Sequence, residues 1–218
     1  MAIFSSSIAR KVAMALSGLF LVLFLAQHFT INITSVIDPD TFNSLSHFMG
    51  HNFVVQFIAQ PILILGVIFH FVMGLILEIR NRGARQISYK SFKGNRNSTW
   101  ASRNMIISGA TILAFLGLHF YDFWFPEIMH KYIESNPMDP TRYYPELVHK
   151  FESPIRTGLY CLAFVLLALH LWHGFSSSFQ SMGWNNKYSK GLRAFTQFYA
   201  IFIPLGFIFI ALYLHFNQ

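Results

Sequence analysis

Apolar residues run along this chain in five long blocks, and the charged residues are crowded into the short intervals between them. No Asp, Glu, Lys or Arg occurs in 12–37, 41–77, 104–121, 157–186 or 194–218. Each block reaches the roughly 17–25 residues that a helix needs to cross a bilayer. The pattern predicts transmembrane helices over about 10–35, 53–80, 103–125, 154–181 and 193–216. Pro61 and Pro204 fall inside the second and fifth of these, where a membrane protein tolerates a kink. The longest connection, 122–156, contains NPMDPTRYYPE and is expected outside the membrane. The first block is too long for a signal peptide and shows no small-residue cleavage site, so it is expected to stay as the first helix. Residues 1–218 therefore read as a single all-α transmembrane domain, with no separate soluble domain and no low-complexity tract.

Composition agrees with this pattern, and charge adds a direction. Of the 218 residues, 54% are hydrophobic and 11% charged, whereas a soluble domain carries about 25% charged residues. The N-terminal segment, the 78–103 connection and the 187–193 connection together hold 12 Lys/Arg against one acid, Glu78. The opposite side, 38–40 and 122–156, holds 4 Lys/Arg against 8 acids. The positive-inside rule then puts the N-terminus in the cytoplasm and the C-terminus outside, in a cytoplasmic (inner) membrane. The net charge of +7 is mostly this topology signal. A nucleic-acid partner is not expected, because the basic stretch RNRGARQISYKSFKGNR joins two membrane spans. Cys161 is the lone cysteine, so no internal disulfide forms, and no C-x-x-C-H is present for covalent haem attachment.

Five of the ten histidines lie inside the predicted helices and away from their ends: His28, His70, His119, His170 and His173. Ionisable residues are rare in membrane spans, and those present usually face a bundle interior. A lone histidine there is most simply an interhelical hydrogen bond. Four on successive helices invite a stronger reading. His28 lies 17 residues after Lys11 and His119 lies 16 after Arg103, on two helices that run outward. At 1.5 Å per residue both sit roughly 25 Å from the inner boundary. His70 lies ten residues before Arg80, and His170 comes 14 after Arg156 on an inward-running helix. Two pairs result, at levels separated by on the order of 10 Å.

An internal repeat supports the pairing. LSGLFLVLFLAQHF (16–29) and ISGATILAFLGLHF (107–120) match in register, and HFVMG (70–74) and HLWHG (170–174) each place a glycine four residues after a histidine. The chain thus looks like two copies of a helix pair with a fifth helix added.

Facing imidazoles from two helices are what a six-coordinate haem needs, and the porphyrin needs room beside them. Four of the five helices would then form a haem-binding bundle. Gly74 and Gly174 lie one turn from the inner histidines on the same face. Ser17 and Ser108 precede the outer histidines by 11 residues, about 16 Å. Ser17–Gly18 and Ser108–Gly109 would therefore flank the inner haem, as a hydroxyl and a gap. His170, with its glycine at i+4, is preferred as ligand over His173, which is expected at the haem edge or in a hydrogen bond.

At these residues the sequence resembles the di-haem, five-helix cytochrome b membrane anchors of succinate:quinone oxidoreductases and quinol:fumarate reductases. The resemblance covers essentially the whole chain and is most specific at QHFTIN (27–32), FNSLSHFM (42–49), the spans of His70 and His119, and the H-x-x-x-G of His170 to Gly174. It implies that His28 and His119 bind an outer, distal haem b and that His70 and His170 bind an inner, proximal one. It also implies a flavoprotein subunit that handles succinate and fumarate and an iron–sulfur subunit docked on the basic cytoplasmic connections. The quinone, commonly menaquinone in this class, would react near the distal haem. Some fumarate reductases of the class carry a glutamate two residues before the fourth ligand. Here that position is Ala168, so a glutamate-based proton route is not implied.

The polar stretch FNSLSHFMGHN brings His47 and His51 to the outer ends of the first two helices. Quinone chemistry moves two protons with two electrons, and histidine, with an ordinary pKa of about 6.5, suits that task. The plainer alternative is two solvated histidines. Other functions remain open at this point: the cytochrome b subunit of a hydrogenase or formate dehydrogenase, or a transporter or structural anchor whose histidines only hydrogen-bond. The absence of Asp, Glu and Arg from the five uncharged blocks weighs against a proton or ion pathway.

Overall fold

The computed structural model describes residues 6–83, 105–184 and 188–217. The basic stretch 84–104, which carries most of the expected docking surface, lies outside the described residues, as does 185–187. Five helices are long and apolar enough to cross a membrane: Ser7–Ile37 (α1), Val55–Asn81, Met105–Ile133 (α4), Pro154–Ser181 (α6) and Ser189–Phe216 (α7). The second of these comprises one π-helical turn, Val55–Ala59, followed by the α-helix Gln60–Gly83 (α3). Two shorter helices, Pro39–His51 (α2) and Tyr143–Phe151 (α5), lie beside the ends of the spans. No strand occurs among the described residues. The chain is a multi-pass, all-α membrane protein.

Local chemistry explains where the helices start. Asp38 is extended, ends α1, and accepts from the backbone N–H groups of Asp40 and Thr41, with Pro39 in the first turn of α2. Ser153 does the same for α6, accepting from Arg156 N at 3.4 Å ahead of Pro154. Carboxylate or hydroxyl caps followed by proline satisfy the orphan N–H groups of a first turn.

Two expectations are corrected. The third span does not stop near 125 but continues to Ile133, and the 38–52 connection is helical. The extension of α4 contains π-helical turns at Phe120–Trp124 and Met129–Ile133. The turns at Val55–Ala59 and Phe120–Trp124 each end two residues before a proline, Pro61 and Pro126. Proline cannot donate in the helical ladder and its ring crowds the carbonyl of the preceding turn, so a widened turn lets the helix pass it. Pro126 therefore does not end the span.

α1, α3, α4 and α6 touch in a ring, and α7 packs along α6 and α1. The fifth helix is not peripheral: Ala200, Ile203, Pro204, Phe207, Ile210, Ala211 and Leu214 on α7 are all buried. Tyr199 donates its hydroxyl to Val22 O at 2.6 Å, tying α7 to α1. The outward faces remain apolar, with Leu23 72%, Leu65 65% and Ile107 62% exposed. Such a belt is stable against lipid and not against water.

Candidate functional site

The ring of four helices brings the intramembrane histidines together in two pairs. His28 of α1 and His119 of α4 have ring centroids 5.7 Å apart, at 88°. His70 of α3 and His170 of α6 stand 6.4 Å apart, at 69°. The pairs occupy different levels, because Ser17, eleven residues before His28 on the same helix, contacts His70 at 3.0 Å. Eleven residues of helix rise about 16 Å. The spacing of the levels is thus larger than the distances to the flanking charges suggest.

The repeat is visible in the contacts. Ser17 Oγ lies 3.0 Å from His70 Nδ1, and Ser108 Oγ lies 3.2 Å from His170 Nδ1. A Cβ on Gly18 would come within 3.3 Å of His70 Cε1, and one on Gly109 within 3.6 Å of His170 Cε1. Glycine there lets α1 and α4 approach the imidazole edges. On the partner helices, a Cβ at Gly74 would meet Met14 Cε at 3.4 Å and one at Gly174 would meet Met105 Cε at 2.8 Å. Met14 and Met105 head the segments MALSG and MIISG, so each copy carries methionine, serine and glycine around one inner histidine. The methionines are a missed part of the site, legible only as this repeated pentapeptide.

The outer pair sits in an aromatic shell. Phe24 stacks on His28 at 5.4 Å and Phe115 lies 5.9 Å from His119, each one turn before its histidine. Phe207 of α7 reaches His28 at 5.7 Å, and Phe123 and Tyr160 lie 5.2 and 6.3 Å from His119. Asn32 donates its amide to His28 O at 2.8 Å, while His119 Nδ1 is buried without a partner among the described residues. Beyond the pair, the wholly buried Asp122 accepts from Tyr160 Oη at 2.9 Å and pairs with Arg156 at 3.2 Å. Nothing in the hydrophobic pattern singles this triad out, because Asp122 and Arg156 stand at the edges of apolar blocks and look like boundary charges.

The side chain of His173 makes no hydrogen bond or ring contact among the described residues; its carbonyl accepts from Ser176 Oγ at 3.4 Å. The structure therefore pairs His170, and not His173, with His70.

The donor set suits two bis-imidazole centres. Metal–nitrogen bonds are about 2 Å, and an imidazole centroid lies about 1 Å behind its nitrogen, so two rings on one ion stand about 6 Å apart. Both pairs come near that spacing, and His119 Nδ1, buried and without a partner among the described residues, is a nitrogen left for a ligand. Haem fits the residues present. His28 and His119 would hold one, and His70 and His170 the other.

At the outer end, His47 and His51 of α2 stack with centroids 4.1 Å apart. His51 Nδ1 lies 3.4 Å from Tyr143 Oη, which donates to Glu127 Oε1 at 3.3 Å. Glu127 is paired with both Lys131 and Arg142, and Arg142 also binds Glu146 at 2.8 Å. Burial, helped by the Lys131 charge, holds the His51 pKa below its ordinary 6.5. Burial and then Glu127 push the Tyr143 hydroxyl up to about 12, so it stays a proton donor at neutral pH. The two histidines are thus part of a charged network and are not simply solvated.

Compared with family models, curated proteins and solved structures, the chain shows no match to any of them.

Proposed function

We propose that this chain is the membrane-anchoring, di-haem cytochrome b subunit of a succinate:quinone oxidoreductase or quinol:fumarate reductase. The observation that carries the reading is the arrangement of four histidines as two facing pairs, at two levels, on four helices of one bundle. Haem b, when bound, supplies reversible one-electron chemistry. The chain's own residues do the rest. His70 and His170 hold the inner group and His28 and His119 the outer one. Gly18 and Gly109 let α1 and α4 come up against the edges of the inner imidazoles, and Gly74 and Gly174 do the same for the Met14 and Met105 side chains. Phe24, Phe115, Phe123 and Phe207 keep water from the outer pair.

On this reading the inner pair faces an iron–sulfur subunit, itself served by a flavoprotein subunit. The outer pair faces a membrane quinone, in this class commonly menaquinone. A quinone takes up two protons with two electrons, and His47 and His51 would exchange them with the outer medium through Tyr143 and Glu127. The N-terminus would be cytoplasmic and the C-terminus outside. Purification from membranes with its bound subunits tests the reading. Two b-type haems per chain by pyridine haemochrome, with succinate-reducible bands, are expected. A chain without b-type bands would end it.

A further inference from the structure

The inner histidines differ from the outer ones in what their second nitrogen meets. Each Nδ1 faces a serine hydroxyl, Ser17 at 3.0 Å and Ser108 at 3.2 Å. A hydroxyl has one proton, and in both serines it is donated elsewhere: Ser17 to Met14 O at 2.8 Å, Ser108 to Met105 O at 3.0 Å. The oxygen then turns lone pairs toward the imidazole and can only accept. A neutral ring that donates from Nδ1 carries its free lone pair on Nε2. Both inner rings meet this condition, through residues at matched positions of the repeat. Neither outer ring does: Asn32 offers His28 an amide nitrogen at 3.4 Å from Nδ1, and His119 Nδ1 has no partner among the described residues.

We propose that Ser17 and Ser108 are positioning residues that fix His70 and His170 in the Nδ1–H tautomer and so present Nε2 to the inner haem iron. The proposal rests on the haem reading above. The hydroxyl has a second effect, because an acceptor on Nδ1–H makes the imidazole a stronger electron donor at Nε2 and favours the oxidised metal. The serine pair therefore lowers the midpoint potential of the inner haem alone.

The test compares Ser17→Ala and Ser108→Ala with Ser17→Thr and Ser108→Thr in the intact membrane complex. In each Ala variant the midpoint potential of one haem should rise while the other stays at the wild-type value, and the Thr variants should behave as wild type. Unchanged potentials in both Ala variants would overturn the proposal. If an Ala variant loses the inner haem, retention in its Thr counterpart supports the role of the hydroxyl, and equal loss in both refutes it. Solid-state 15N spectra of the histidine-labelled, haem-free chain in bilayers give a readout independent of cofactor loading. Two histidines should show protonated Nδ1 and bare Nε2, and one should lose that signature in each Ala variant. A wild-type chain lacking haem defeats the functional reading, whereas a wrong tautomer defeats only this one.

Discussion

His28, His70, His119 and His170 do what a residue type unsuited to hydrocarbon must do: each meets a partner inside the bundle. If they act in two pairs, His28→Ala and His119→Ala should each remove the same haem, and His70→Ala and His170→Ala the other. Haemochrome counts with redox titration of each variant check this, and His173→Ala should keep both haems. The buried Asp122 makes a different demand. Its carboxylate is fully covered, while Arg156 is 31% exposed. Removing the cation leaves a buried charge supported by Tyr160 alone, whereas neutralising the carboxylate leaves an arginine that still reaches water. Arg156→Met should therefore destabilise the protein by about 3 kcal/mol, the lower end for a broken buried pair, and Asp122→Asn by less. Thermal unfolding of both variants in detergent gives the order.

Among the elements, α7 carries more of the packing than its place at the end of the repeat suggests. Gly206 is where it comes closest to α1, since a Cβ there would press into the Phe29 ring. Gly206→Val should cost about 1–3 kcal/mol through overpacking and displace Phe207 from His28. A lowered unfolding midpoint, with the outer haem's spectrum changed and the inner one intact, is the expected pair of results. α2 is held by Asn43 Oδ1, which accepts from Tyr144 N of α5 at 2.8 Å, and by the His51–Tyr143 contact. His47→Ala or His51→Ala should keep both haems and normal succinate oxidation with a water-soluble dye. Quinone-dependent turnover should fall at least tenfold, or about 1.4 kcal/mol of transition-state stabilisation. The pH dependence has a defined sign. The His51 pKa is lowered by burial, so its neutral form persists below pH 6.5. The folded state thus resists its protonation, and its stabilising contribution is complete above 6.5 and lost as pH falls toward the lowered value. The acid limb of quinone turnover should accordingly lie below pH 6.5.

At the scale of the whole molecule, the charge asymmetry and the two histidine levels define an axis across the membrane. Arg80, at the end of α3, is exposed on the side where the basic residues gather. Reversing its charge should weaken co-purification of the iron–sulfur subunit and leave both haems in place. A cysteine introduced near Lys90 should be labelled from the cytoplasmic side only.

The five spans and the two-level pairing were legible in the chain itself, because both depend on one-dimensional quantities. Bilayer thickness sets how long an uncharged run must be, and helix rise converts residue count into depth. Register also survives in one dimension, which is why Ser17 and Ser108 could be placed beside the inner pair from an 11-residue offset. What the linear pattern could not hold was anything decided by rotation about a helix axis or by the neighbour across the gap. His170 and His173 differ by under one turn in depth; the glycine four residues on favoured His170, and packing brings that ring to His70. The extension of α4 past Pro126 needed a widened turn that no local preference announces. The Asp122–Arg156–Tyr160 triad joins residues from two helices whose charges, in sequence, look like boundary markers. The role of the serines as acceptors needed the Met14 and Met105 carbonyls in place, since a hydroxyl's direction is set by where its one proton goes.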